Sequence, residues 1–393
     1  RKETVFIELT AQGIAFLKAI ASMIDPEILP VEGGQFTNNA LFGMLEDCSP
    51  DRWGRTLMKR RHERECEMRG EEPGLLLPSD FLMGVHDPFR QGALRFKLYE
   101  GGSFLDDRPI DEVPTLVHLS ELLSAAQRFE KNDLEISNQE YDWLKCLVAP
   151  GSSLGGARPK ASILHKGRLM IAKFPSIKDE WNVGLWEFLV NKLAERCGLN
   201  VPVGEVHKVA SDHHTFIAQR FDRQADGSRL HFCSAMTLLG KVDGDGASTG
   251  VSYLDLARVI ASESIAPQAD LLELFKRMVF HVLVSNTDDH LRNHGFLFDR
   301  EAGGWRLAPA YDINPNPLGN GLALNITSND NALDLALLLK VSKFFRIKNE
   351  LAAQRIIDEM KTTVAEWRRL AAELKVPSAE IKKLAPAFEL AEP

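Results

Sequence analysis

Short runs of apolar residues at strand spacing fall at 161–164, 169–174, 205–208 and 215–220, and they predict four strands. Among them lies one stretch of helical period, about 180–197, which Gly198 closes as a C-terminal cap. Beyond Asp222 the pattern turns mainly helical, with helices predicted over 253–262, 269–285, 332–339 and 349–374. Two more strands, 295–298 and 305–308, flank a turn at 299–304 and read as a hairpin. Turn-forming residues cluster at 32–34, 101–102, 151–156, 240–248 and 314–321, the second and third being candidate seams. The pattern predicts an α+β, bilobal protein with a small β-rich lobe, a helical lobe and a ligand in the cleft. Three segments follow: an N-terminal region at 1–145, a β-rich lobe at 146–222 and a helical lobe at 223–393.

Composition narrows the function classes. The chain of 393 residues is 44% hydrophobic and 26% charged, ordinary for a globular protein of two or three domains. A formal net charge of -8 argues against a surface that grips nucleic acid throughout. The five cysteines form no C-x-x-C pair, so neither a disulfide framework nor a zinc knuckle is expected, and a reducing cytoplasm fits. No apolar run approaches the roughly 20 residues that span a bilayer, and nothing reads as a signal peptide. The chain begins at Arg1 rather than Met, so the true N-terminus is expected upstream.

Three motifs carry chemistry. The first is Ser152-Ser153-Leu154-Gly155-Gly156-Ala157-Arg158-Pro159-Lys160, a glycine turn entering a strand, where backbone N–H groups approach phosphate oxygens and two cations add charge. Alone it is weak, and it lacks the G-K-[ST] ending of a P-loop. The second is Lys173, which strand alternation puts on the face of Leu169 and Ile171. Glu187 shares a helical stripe with Val183, Trp186, Val190 and Ala194, where an unpaired carboxylate is costly. A Lys173–Glu187 pair is therefore expected, the strand-lysine and helix-glutamate arrangement that positions ATP phosphates in kinases.

The third motif is the most specific. A predicted apolar helix runs into Asn286-Thr287-Asp288-Asp289-His290-Leu291-Arg292-Asn293, followed by the hairpin and Tyr311-Asp312. Both ends of a hairpin meet at its open end, so Asp312 is expected beside Asn293. Phosphoryl transfer needs a carboxylate to orient and deprotonate the attacking hydroxyl, and oxygen ligands for Mg²⁺. Asp288 with Asn293 five residues on has the spacing of a kinase catalytic Asp and its metal-binding Asn. Asp312 takes the place of the second metal-binding Asp, although Ile313-Asn314 follow it here instead of Phe-Gly. The order of the parts is far more specific than any one of them.

With these parts in place the sequence resembles the HipA family of serine/threonine protein kinases. That family carries a Ser-x-x-Gly-Ala-x-x-Lys phosphate loop, a Thr-Asp-x-His-x-x-Asn catalytic loop and a Tyr-Asp after the hairpin. Here these read Ser153 to Lys160, Thr287 to Asn293 and Tyr311-Asp312. Two weaker echoes are Gln219-Arg220-Phe221-Asp222-Arg223, similar to the adenine hinge, and Pro50-Asp51-Arg52-Trp53-Gly54-Arg55. The resemblance implies a protein-kinase-like fold with an added N-terminal region. It also implies ATP contacts at Gly155, Gly156, Ala157, Arg158, Pro159, Lys160, Lys173, Gln219, Arg220, Phe221, His290, Leu291, Arg292, Asn293, Tyr311 and Asp312. Asp288 would be catalytic, Asn293 and Asp312 would bind Mg²⁺, and Ser153 or its neighbour Ser152 would be autophosphorylated. The family's biology implies a cytoplasmic toxin acting on a protein such as an aminoacyl-tRNA synthetase. A helix-turn-helix antitoxin would be its partner, with DNA reached through that antitoxin. The family's N-terminal β segment reads as short or absent, which a truncated N-terminus or a separate small protein supplying that part would explain.

Rival readings are weaker. His290 and His294 stand four apart near Asp288 and Asp289, as in a zinc hydrolase, but the loop is not a continuous helix and no Glu base follows the first His. Residues 52–69 are rich in Arg and Lys, yet Glu63, Glu65 and Glu67 interleave, so a solvated helix face is expected rather than a nucleic-acid patch. A small-molecule kinase, or a non-catalytic scaffold for an antitoxin–DNA complex, would be the alternatives; a scaffold has no need of Lys173, Asp288, Asn293 and Asp312 together.

Overall fold

A computed structural model describes residues 3–20, 22–105, 114–131, 147 and 158–392. The chain divides into two compact units. Unit 1 is Arg1–Ala19, Ile24–Glu180 and Glu205–Cys233; unit 2 is Ile20–Met23, Trp181–Gly204 and Ser234–Pro393.

Unit 1 begins with a short antiparallel pair, β1 (Phe6–Glu8) and β2 (Gly34–Phe36). Helix α1 (Arg52–Arg69) starts at Asp51, whose side chain accepts from the Gly54 amide at 2.8 Å, and it ends at Gly70 in the left-handed region. It buries Trp53, Leu57 and Met58, while Arg61 pairs with Glu65 at 2.7 Å on its wetter side. A solvated charged face accounts for the mixed run of residues 52–69. Helix α2 (Leu119–Glu130) buries Leu122, Leu123, Ala126 and Phe129.

The main sheet comprises β3 (Lys160–His165), β4 (Arg168–Lys173), β5 (Gly204–His207) and β6 (Thr215–Gln219), in the order β3-β4-β6-β5. Ala161 pairs with Ala172, Ile163 with Met170 and Ala172 with Ile217, so these residues share one face. That face forms a single core with Trp53, Leu57, Leu122, Leu123 and Phe129 of α1 and α2. Leu169, Ile171 and Lys173 lie on the opposite face by alternation.

In unit 2, α3 (Val183–Arg196) is capped by Asn182, which accepts from the Leu185 amide at 3.3 Å, and closed by Gly198 at φ 72°. The lobe is built around α5 (Pro267–Leu283), which follows α4 (Tyr253–Glu263) and carries proline in its first turn, where the missing N–H costs nothing. Helix α5 is apolar on nearly every side: Leu274, Phe275, Met278, Val279, Phe280, Val282 and Leu283 are all fully buried. Strands β7 (Gly295–Asp299) and β8 (Gly304–Leu307) form the expected hairpin, with Phe298 opposite Trp305. It is tied to α5 by Asp270, which accepts from the Leu307 amide at 3.0 Å, and by Arg277, which donates to the Ala308 carbonyl at 2.6 Å. The helices α6 (Leu335–Val341), α7 (Glu350–Val364) and α8 (Trp367–Glu373) follow, then a short helix at Ser378–Leu384 and a 3-10 helix at Ala385–Ala391. The helix expected over 349–374 is therefore two helices. Trp367 is fully buried and stacks on Phe388 with centroids 4.5 Å apart, at the point where the helix breaks.

Candidate active site

Helix α5 ends where Ser285 adopts φ 48° and the Asn286 amide donates back to the His281 carbonyl at 2.9 Å. The chain then turns through residues 286–294. A second loop, 311–319, is stitched to it: Asn286 Oδ1 accepts from the Asn314 amide at 3.2 Å, and Asn316 Nδ2 donates to Thr287 Oγ1 at 2.7 Å. Tyr311 Oη donates to the Arg292 carbonyl at 2.6 Å. The hairpin supplies the rest, with the Ala308 amide donating to the Gly295 carbonyl at 2.8 Å. Asp312 therefore returns to the loop of Asp288 and Asn293, and it sits at φ 58°, a strained conformation for a non-glycine residue.

Asp288 is exposed, yet its carboxyl is raised above the ordinary carboxylate value. Partial desolvation is the largest cause; His290 opposes it, and the neighbouring charges of Asp312 and Asp289 add to it. A raised carboxyl pKa suits a group that must accept a proton near neutrality. Asn293 is buried, and its Nδ2 donates to the Asp288 carbonyl at 2.9 Å. That bond orients the amide so that Oδ1 is left buried without a partner among the described residues. Asn314 Oδ1 is likewise unpaired, while its Nδ2 donates to Asp312 Oδ1 at 3.3 Å. Orphaned amide oxygens beside two carboxylates are the oxygen donors that a hard divalent cation takes, so these residues fit Mg²⁺.

Beneath this loop lies a network that sequence reasoning missed. Asp289 is buried and accepts from Tyr253 Oη; His294 Nε2 lies 3.0 Å and His281 Nε2 3.4 Å from its Oδ2. Asn286 Nδ2 meets His281 Nδ1 at 2.8 Å, which assigns the His281 proton to Nε2, toward Asp289. Desolvation would raise Asp289, but His281 and His294 outweigh it and hold the carboxyl low. Burial pushes His281 down to about 4. The available signal was His281 within the apolar last turns of α5, 278–283, where a buried histidine requires a polar partner. His294, expected as a zinc ligand in the rival reading, is instead buried against Asp289.

The remaining predicted residues divide by unit. In unit 2, Leu291 is buried, His290 is half-buried and Arg292 lies 3.3 Å from Asp243; Glu187 is buried on α3. In unit 1, Lys160 is buried and paired with Asp51 at 2.7 Å. Its cross-strand neighbour is Lys173, a like charge, so Asp51 offsets a repulsion as well as capping α1. Arg158 donates to the Phe174 carbonyl at 3.1 Å and pairs with Asp179; the Pro159 carbonyl accepts from the Phe174 amide at 2.8 Å. Gln219 Oε1 accepts from Arg168 at 2.9 Å, and Phe221 packs on Phe232. Arg220 is buried, donating to Asp222 at 2.6 Å and to the Phe89 carbonyl at 2.6 Å. Ser152, Ser153, Gly155, Gly156 and Ala157 lie outside the described residues.

The sequence pattern of the HipA-like C-terminal domain matches residues 152–367. A protein of Haemophilus influenzae named as a candidate kinase is 27% identical over 209 residues, 47% of this chain and 60% of that protein. Two proteins of Sinorhizobium fredii with similar names are each 28% identical; one match covers 36% of this chain and 33% of that protein, the other 73% and 68%. The chain thus spans 60% and 33% of the length of the first two relatives. A solved structure of the Shewanella oneidensis toxin–antitoxin HipA, in complex with HipB and operator DNA, superposes with a TM-score of 0.65 at 16% identity, covering 99% of this chain and 93% of that one. At that identity the likeness is one of fold, and it agrees with the α+β class read from the sequence. Among the described residues no helix is long and apolar enough to cross a membrane.

Proposed function

The chain belongs to the HipA-like C-terminal domain family, and from that membership we propose that it is an ATP- and Mg²⁺-dependent protein kinase acting on serine or threonine hydroxyls. The observation that carries the reading is the meeting of Asp288, Asp312 and the unpaired Asn293 oxygen at the open end of one hairpin. Asp288 takes the proton of the acceptor hydroxyl as its oxygen bonds to the γ-phosphorus of ATP and the bond to the β-phosphate oxygen breaks. Asn293 and Asp312 hold Mg²⁺, which when bound neutralises charge on the phosphate oxygens. Asn314 orients Asp312, and Asp289 holds the loop from beneath.

Lys173 is assigned to the phosphates, and Glu187 to a structural role on α3. Arg158 and Lys160, already engaged by Asp179 and Asp51, anchor the end of the phosphate loop, which leaves the backbone of Gly155, Gly156 and Ala157 to meet the phosphates. Arg220 is committed to Asp222, so the stretch Gln219 to Phe221 would meet adenine through its backbone. The division into an N-terminal region at 1–145, a β-rich lobe at 146–222 and a helical lobe at 223–393 belongs to the same reading. So do a cytoplasmic location, a protein substrate such as an aminoacyl-tRNA synthetase and a helix-turn-helix antitoxin as partner. The test is incubation with γ-labelled ATP and Mg²⁺, followed by peptide mapping. Label on serine or threonine, lost in Asp288→Asn, is expected; transfer that is equal in the variant sinks the assignment.

A further inference from the structure

Unit 1 holds a cavity of about 320 Å³, which shares Gln219 and Arg220 with the stretch proposed to meet adenine but is otherwise lined by residues the kinase reading does not use. Its lining carries five arginines, Arg95, Arg168, Arg220, Arg223 and Arg229, against the single carboxylate of Asp87. Two of the five are framework. Arg220 and Arg223 hold Asp222 at 2.6 and 2.7 Å, and Arg223 also donates to the carbonyls of Arg90 at 2.7 Å and Pro88 at 3.1 Å. The other three face a shortage of anions. Asp87 is shared by Arg95 at 2.6 Å and Arg229 at 2.8 Å, and Arg168 is exposed, donating to the neutral Gln219.

Five guanidinium groups thus stand against two carboxylates, Asp87 and Asp222, an excess of three positive charges around one small cavity. The electrostatics register that excess. Desolvation, and then the charge of Arg220, push Arg223 down to about 10; desolvation lowers Arg229 despite its contact with Asp87. An anion entering the cavity would remove this repulsion. Guanidinium forks match phosphoryl oxygens in geometry and form charge-assisted hydrogen bonds with them. The lining also includes Leu164 and Leu169, apolar surface that bare inorganic phosphate does not need. The volume suits a small molecule rather than a polymer.

We propose that this cavity binds a small phosphorylated molecule, its phosphoryl group held by Arg95, Arg168 and Arg229 and its less polar part lying against Leu164 and Leu169. The site goes beyond the kinase reading, since those three arginines take no part in phosphoryl transfer.

Calorimetric titration of the full chain with inorganic pyrophosphate, without Mg²⁺, tests it. Saturable one-to-one binding is expected, unchanged in Asp312→Ala and weakened about tenfold or more in Arg168→Gln. The double variant Arg95→Gln/Arg168→Gln loses it. Arg168 is exposed and outside the Asp87 ion pairs, so its variant keeps the fold, as circular dichroism melting would check. No saturable heat overturns the proposal, as does pyrophosphate affinity that ignores Arg168→Gln or disappears with Asp312→Ala. Labelled-ATP transfer, measured separately, stands or falls independently of these results.

Discussion

Replacing Asp222 by Asn isolates what its charge does. The buried carboxylate accepts from Arg220 at 2.6 Å, Arg223 at 2.7 Å and the Gly92 amide at 2.8 Å. Burial would raise its pKa, but the charges of Arg220 and Arg223 outweigh burial and hold it at about 2, against an ordinary value of 3.8. At about 1.4 kcal/mol per pH unit, that gap corresponds to about 2.5 kcal/mol of stability in unit 1. Because the folded pKa lies below the unfolded one, the contribution is complete above about pH 4 and is lost as pH falls toward 2. Asp222→Asn should therefore unfold more easily than the parent by about 2.5 kcal/mol at pH 7. Asp222→Ala, which also strands the two guanidiniums and the amide, should cost about 3–5 kcal/mol. Urea unfolding followed by circular dichroism at pH 7, 5 and 3 measures both. The gap between parent and Asn variant should hold from pH 7 to 5 and narrow at pH 3. A gap below about 0.5 kcal/mol at pH 7, or one that does not narrow in acid, refutes the argument and reopens Arg220 as a side-chain ligand.

Four further outcomes are expected. Asp288→Asn should retain ATP binding while phosphotransfer falls by about a hundred- to ten-thousandfold, because the base is lost and the phosphate contacts remain; single-turnover kinetics decides. Mg²⁺ should strengthen ATP binding in the parent but not in Asn293→Ala or Asp312→Ala, and equal affinity with and without the metal in the parent by calorimetry would remove both metal roles. Asp289→Ala should destabilise unit 2 by about 3 kcal/mol, since Tyr253, His281 and His294 lose a shared buried acceptor; an unshifted thermal melt would show that the network is dispensable. Mass spectrometry should find phosphate on Ser152 or Ser153 only when Asp288 is intact, with ATP affinity falling as occupancy rises, because a phosphoserine competes for the cations and amides of the same loop. An unmodified loop in the active protein would leave those serines as turn caps.

The elements were legible because burial is periodic. Strands at 161–164, 169–174 and 215–220 and the helices flanking Asp288 follow from residues facing a core at intervals of two or of three to four. The meeting of Asp312 with the loop of Asp288 and Asn293 was also legible, because a hairpin five or so residues per arm returns the chain to its own start. The break between α7 and α8 was not. Ile357, Met360, Val364, Trp367 and Leu370 keep helical spacing straight through it, and the helix yields where Trp367 stacks on Phe388, a residue 21 positions away. The same limit hid the fate of the charges. The pairing of Lys160 with Asp51, 109 positions earlier, and the links from Asp289 to Tyr253 and His281 beneath the loop are visible only in the fold. Hydrophobic periodicity states which side of an element is dry, but it carries no address for a charge, whose partner is whichever opposite group the packed chain brings within hydrogen-bonding distance.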